Sequence, residues 1–212
     1  RHKIYASFMD KPMEKEPGSA MHIHQSVISH DTGENIFSNA DGGASALFYS
    51  HIAGLQRYLP AALSLLAPNV NSYRRLTRYH AAPINVQWGL DNRTVGLRVP
   101  DSSRESRRVE NRVPGADANP YLAIAASLAC GLLGMRQKLH PSAAVTGSAY
   151  DMPYELPRSL EQSLQALDEC DDLKEMLGQR FVTAWHAVKE SEYETFLQVI
   201  SSWEREHLLL NV

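Results

Sequence analysis

Two histidines two apart, His22 and His24, followed by Ser26, stand in the run "GSAMHIHQS" at 18–26. In an extended chain residues i and i+2 share a face, so these three point one way while Met21, Ile23 and Val27 point the other. Neutral imidazole is a common metal ligand, and a hydroxyl beside it suits a phosphate or a metal-bound water. "RRVENR" at 107–112 repeats the pattern with other chemistry: Arg108, Glu110 and Arg112 share a face. A carboxylate between two guanidiniums is either a salt-bridge ladder or a hard oxygen ligand for a divalent cation, with the arginines holding a multiply charged anion. "NRTVGLRVP" at 92–100 adds Arg93 and sets Arg98 between core-facing Leu97 and Val99, and "NSYRRL" at 71–76 adds Arg74 and Arg75.

From 74 to 112 there are nine arginines and no lysine. Arginine alone points to planar, bidentate binding of carboxylate or phosphate. Several of these side chains interrupt apolar strands, where unpaired charge is costly. An anionic ligand, with a cation held by His22 and Glu110, accounts for both. A nucleic-acid surface is disfavoured, because stacking aromatics are not interleaved with the arginines and the net charge is −3.

The elements that must position these residues form an α+β chain, with an antiparallel-rich sheet in the first half and helices mostly in the second. The sequence predicts strands at 3–9, 20–28, 84–88, 94–99 and 107–113, a turn at 14–18 and a loop at 29–45. A helix is predicted over 44–67, broken or kinked at Pro60. Another begins at Asn119-Pro120, Asn as N-cap and Pro at N1, and runs to about 138. A linker near 140–157 leads to three further helical segments.

The 212 residues are 43% hydrophobic and 21% charged, enough apolar mass for a sizeable core. Two cysteines make no disulfide framework, and Cys130 within "AIAASLACGLLG" reads as a buried thiol. Without an apolar run of membrane-spanning length or a signal peptide, a cytoplasmic protein with no membrane partner is expected. The opening "RHKIYASFMDKP" reads as the interior of a domain, which predicts further residues upstream.

Taken in order, "GSAMHIHQS", "NSYRRL", "NRTVGLRVP" and "RVENRVPGADANPYLAIAASLACGLLG" resemble the catalytic domain of the glutamine synthetase family, and the resemblance extends to "WEREHLLLNV" at the end. It places residues 1–212 in the C-terminal portion of that domain. The family's N-terminal β-grasp domain and early catalytic strands have no counterpart here, so this stretch alone is expected to be inactive. The resemblance implies an ATP-dependent ligase that phosphorylates glutamate and lets an amine displace the phosphate, with Mg2+ or Mn2+ and a homo-oligomeric ring. By match, His22 and Glu110 ligate metal, and His24, Ser26, Arg93, Arg98 and Arg108 contact ATP. Gly18, Arg75 and Arg112 bind glutamate, and Arg93 and Arg112 are the catalytic arginines.

Three departures qualify that match. The family's other metal-ligating glutamates lie in the part without counterpart. Pro17 replaces the Asn usual before the glycine of the glutamate loop. Ammonia-using members carry Pro-Gly-Tyr-Glu-Ala-Pro where this chain has Arg78-Tyr79-His80-Ala81-Ala82-Pro83, so Ala81 replaces the Glu that binds ammonium. Among family members the chain is most similar to γ-glutamylputrescine (polyamine) synthetases, with Ala81 and Trp88 as candidates for the amine pocket. An ammonia-using glutamine synthetase is the alternative, and a non-enzymatic relative is the reading of another class. Tyr150 aligns with a loop tyrosine that is adenylylated in some bacterial members; here an ordinary loop tyrosine is the stronger expectation.

Overall fold

A computed structural model describes residues 2–78 and 81–210. Four strands of three residues each, β1 (Ile23–Gln25), β2 (Trp88–Leu90), β3 (Leu97–Val99) and β4 (Val109–Asn111), form one sheet in the order β1-β4-β3-β2. β4 pairs antiparallel with both β1 and β3, and β2 runs parallel to β3. The strands are shorter than the sequence predicts. Their flanks are held by isolated bridges, Ala20 with Gly115 and Ile28 with Asn35, rather than by a continued ladder. No strand forms at 3–9. That segment has no pairing partner and its Ile4, Tyr5 and Phe8 side chains are exposed. A strand exists only where a neighbour takes its backbone hydrogen bonds, which alternation in one segment cannot guarantee.

Beneath the sheet lie α1 (Ala46–Leu66) and α2 (Pro120–Gln137), packed on each other and against β3 and β1. Each opens on a side-chain cap: Ser45 Oγ accepts from the Phe48 N–H at 3.2 Å, and Asn119 Oδ1 accepts from the Tyr121 N–H at 3.0 Å. Pro60 does not end α1, contrary to expectation. The turns around it are clamped by Leu55, Leu59, Leu63 and Leu66, none of them exposed, and that burial outweighs one lost hydrogen bond. Four helices follow rather than three: α3 (Leu160–Asp168), α4 (Asp171–Leu177), α5 (Gln179–Leu197) and α6 (Ser202–Leu208). Gly178, at φ 93, divides α4 from α5.

One face of the sheet is core, carrying Ile23, Leu97 and Val109. It also holds a buried polar clasp absent from the sequence reading: Asn111 Nδ2 donates to Ser127 Oγ at 3.0 Å, and that hydroxyl donates to Gln25 Oε1 at 2.8 Å. The clasp fixes β1 and β4 to α2 in a single register, so the opposite face is presented as a rigid surface.

Candidate active site

Register builds that opposite face. His24 pairs with Glu110 across β1–β4, and Arg98 pairs with the same Glu110 across β3–β4. Paired residues share a face, so an imidazole, a carboxylate and a guanidinium lie in one row. Glu110 is its hub. Oε1 meets His22 Nδ1 and Arg112 Nη1, each at 2.8 Å, and Oε2 meets Arg98 Nη1 at 2.7 Å. Arg98 also holds Asp91 at 2.6 Å, and Arg108 Nε reaches His24 Nδ1 at 3.3 Å.

The electrostatics follow from that packing. Burial alone would raise the Glu110 pKa, but the Arg98 hydrogen bond and the Arg112 and His22 charges prevail and hold the carboxyl below its usual range. His22 is shifted down, first by burial and then by the Arg112 charge, which outweigh the pull of Glu110. The result is an ionised carboxylate beside a neutral imidazole that keeps a lone pair, the protonation states a hard cation requires. At 2.8 Å from the ionised carboxylate, His22 Nδ1 donates its proton to Glu110 Oε1, which puts the lone pair of the neutral imidazole on Nε2. Among the described residues no group of three or more His, Cys, Asp or Glu is placed to hold a metal ion.

The five arginines that the resemblance gives to ATP and glutamate divide. Arg98, Arg108 and Arg112 lie on the site face. Arg93 is exposed on the turn between β2 and β3 and makes no hydrogen bond or ion pair among the described residues. Arg75 is only 2% exposed, its Nε on Asp10 Oδ2 at 2.8 Å and its Nη2 donating to the Val113 carbonyl. A guanidinium that deep needs an internal counter-charge, and Asp10 supplies it. Gly18 packs on Arg75 as the sequence anticipates: a Cβ there would lie 2.7 Å from Arg75 Cγ. Ser26 is exposed on the His24 side.

Trp88 requires a correction. In register it pairs with Leu97, while its neighbour Gly89 pairs with Arg98. Trp88 therefore points into the core, its indole N–H on the Ser142 carbonyl at 2.8 Å and its ring 6.0 Å from that of Tyr49. Among the described residues it lies on the face opposite Glu110. Ala81 is exposed at φ 60, a tight turn that presents only a methyl group; Tyr79 and His80 of the same loop lie outside the described residues. Tyr150 is buried in a short 3-10 turn, Ala149–Asp151, with Arg78 donating to its carbonyl, and burial raises its hydroxyl pKa. That is the setting of a structural tyrosine.

Asp10 and Asp91 were not singled out in the sequence. The signal for Asp10 was a lone acid inside "FMDKP", for Asp91 a lone acid just before Arg93.

With this geometry established, comparison decides the family. A protein-family model described as "Glutamine synthetase, catalytic domain" matches residues 1–208. The chain belongs to the glutamine synthetase catalytic-domain family. It is 43% identical over its whole length to the gamma-glutamylputrescine synthetase PuuA of Escherichia coli K12, covering 45% of that protein. It is 37% identical over 96% of its length to a glutamate–isopropylamine ligase of a Pseudomonas species, covering 46% of it. It is 36% identical over 98% to the glutamine synthetase of Pyrococcus woesei, covering 48%. The solved structure titled "Apo GmaS without ligand" superposes with a TM-score of 0.85 at 30% identity, over 96% of this chain and 48% of that one. The chain thus spans about half the length of these glutamine synthetase relatives. Among the described residues no helix is long and apolar enough to cross a membrane.

Proposed function

We propose that the whole protein is a cytoplasmic, ring-forming, ATP-dependent ligase that joins glutamate to an alkylamine of the putrescine type through γ-glutamyl phosphate. The observation that carries the ligase reading is the Glu110 hub. Three guanidiniums, Arg98, Arg108 and Arg112, stand against two carboxylates, Glu110 and Asp91, leaving a face with positive charge to spare for a polyphosphate.

A divalent cation held by His22 and Glu110 would neutralise charge on the transferred phosphoryl group. The chain's own side chains do the rest. Arg98 and Arg112 fix the Glu110 carboxylate and add positive potential where phosphoryl charge develops, so catalysis is positioning plus electrostatics. His24, Ser26 and Arg108 form an outer row along which the nucleotide extends, and exposed Arg93 is free to close on its phosphates. The acid's carboxylate oxygen takes the terminal phosphoryl as its bond to ADP breaks. The amine lone pair then forms the amide bond, inorganic phosphate leaves, and the attacking nitrogen loses its proton.

The choice of nucleophile rests on Ala81. Ammonium needs a carboxylate to bind and deprotonate it, and the Ala81 turn offers a methyl. A diamine brings a chain that gains about 0.8 kcal/mol per buried methylene. The names of the Escherichia and Pseudomonas relatives support the same choice. Phosphate release by the full-length protein with glutamate, ATP and Mg2+, supplied in turn with putrescine, isopropylamine or ammonia, tests it. Higher kcat/KM with an alkylamine is expected. Equal or better turnover with ammonia returns the protein to ordinary glutamine synthesis, and no turnover with any of them overturns the ligase reading.

A further inference from the structure

We propose that the groove between Arg74, the start of α3 and the end of α5 is a second binding site, for a small organic monocarboxylate with an apolar body. It stands independently of the ligase reading above.

Arg74 belongs to the arginine-rich run that points to an anion, yet the candidate active site does not use it. Its neighbours in that run are spent. Arg75 is held by Asp10, Arg98 by Glu110 and Asp91, and Arg104 by Glu34, while Arg78 and Arg107 donate to backbone carbonyls. The Arg74 guanidinium makes no hydrogen bond or ion pair among the described residues. It ends the short 3-10 turn Ser72–Arg74 beside a groove of about 250 Å3. Arg158 lines the same groove, its guanidinium 4.8 Å from the centre of the Tyr154 ring rather than on a carboxylate. Tyr193 and Phe196 form one wall, their rings stacked at 6.3 Å, and Val70 and Leu160 supply further apolar surface. No carboxylate lines the groove among the described residues.

Tyr73 closes it from below. The residue is 8% exposed, and its hydroxyl has no hydrogen-bond partner among the described residues. Buried hydroxyls nearly always have one. An unpaired phenol beneath two guanidiniums without a counter-charge therefore marks a place for an acceptor oxygen. The start of α3 adds little to this. Ser159 Oγ already accepts from the Gln162 N–H at 3.2 Å, so recognition falls to the side chains.

A guanidinium binds carboxylate and phosphate alike, and the adjoining groove decides between them. That groove shares Tyr193, continues along α3 and α5, and is lined by Glu161, Asp168, Glu169, Glu190 and Glu194 with no lysine or arginine. A polyanion extending past Tyr193 would meet those carboxylates. A single carboxylate keeps its charge at Arg74 and Arg158 and lays its hydrocarbon on Leu160, Tyr193 and Phe196. The location is also separate from the Glu110 cluster: α3 packs on α1, in the helical layer, whereas Glu110 lies on the other face of the sheet.

The probe is 3-phenylpropionate. Its neutral match is 3-phenylpropanamide, and inorganic phosphate is the anion without a body. Calorimetry on the full-length protein is expected to show saturable binding of 3-phenylpropionate with a Kd of about 1 mM or tighter. Binding of the amide and of phosphate is expected to be weaker by about tenfold or more. The affinity should be the same with and without saturating ADP, Mg2+ and glutamate, and displacement by them would place the probe at the Glu110 face and overturn the proposal. Arg74→Gln and Arg158→Gln change exposed side chains, and each is expected to weaken the carboxylate about tenfold with ADP binding unchanged. Tyr73→Phe is expected to weaken it about threefold; if that variant does not fold, the arginine variants still decide. No saturable binding, equal binding of the amide or of phosphate, or unchanged affinity in either arginine variant overturns the proposal.

Discussion

Arg98 and Glu110 face each other across the β3–β4 pair at 2.7 Å, and the other oxygen of Glu110 takes Arg112 and His22, both at 2.8 Å. One carboxylate thus organises three cationic or cation-binding side chains: Arg98 from β3, His22 just before β1 and Arg112 just after β4. Glu110→Gln would leave Arg98 and Arg112 facing a neutral amide. Breaking a buried pair by removing one partner costs about 3–5 kcal/mol; the lower end applies, because Arg98 is partly solvated and keeps Asp91. Chemical denaturation reads this directly, and a loss below about 1 kcal/mol would mean the cluster behaves as an ordinary surface pair.

His22→Ala separates metal binding from stability. The His22 side chain is one-third exposed and its bond to Glu110 is one of three that carboxylate accepts, so its removal should change folding stability by only about 1 kcal/mol. Loss of an outer-shell partner alone lowers metal affinity about 10–100-fold, so loss of the imidazole itself should cost the upper end of that range or more. Titration of the full-length protein with Mn2+, followed by electron paramagnetic resonance, measures it. Unchanged affinity would remove His22 from the cation site.

Trp88→Ala should act through the core. The side chain is 7% exposed, and truncating it removes packing against Tyr49 and the bond to the Ser142 carbonyl. The expected loss is about 3–5 kcal/mol, seen as a lower Tm, with the preference among amines unchanged. A selective loss of amine use at constant Tm would place the indole at the amine after all.

His51 makes stability sensitive to acid. It is 1% exposed, neither ring nitrogen has a hydrogen-bond partner, and burial lowers its pKa to about 4 from 6.5. The folded pKa lies below the unfolded one, so between those values the unfolded chain binds the extra proton and stability falls with pH. From pH 7 to 5 the term amounts to about 2 kcal/mol. Asp10 works with the opposite sign: its folded pKa of about 6 lies above the ordinary 3.8, so the folded state gains stability as pH falls through 6. These two terms oppose each other in the native protein. His51→Leu removes one of the terms that favour unfolding in acid, so the change in stability from pH 7 to pH 5 should be more favourable than in the native protein by about 2 kcal/mol. The same change in both proteins would show that His51 titrates as an exposed histidine.

Local signals in the sequence determined a good deal. The alternation of His22, His24 and Ser26, and of Arg108, Glu110 and Arg112, put these groups on one face of short strands, because period 2 is a property of the extended backbone wherever the strand lies. Asn119-Pro120 fixed the start of α2 to the residue, since cap and N1 preferences act within one turn. Sheet pairing was not available by the same means. The register that brings Arg98 opposite Glu110 depends on β3 running antiparallel to β4, and the one that turns Trp88 inward on β2 running parallel to β3, partnerships between segments that no single segment encodes.

What the sequence by itself determined, then, was which side chains carry the chemistry and which of them share a face, because covalent geometry sets both. What only the tertiary structure decided was which charges were already satisfied. Arg75 and Asp10 are 65 residues apart, and nothing in "NSYRRL" or "FMDKP" shows that they meet. Their pairing follows from packing Asp10 against both Gly18 and Gly115, and the cost of a buried charge depends on what lies a few ångströms away in space, not on its neighbours along the chain.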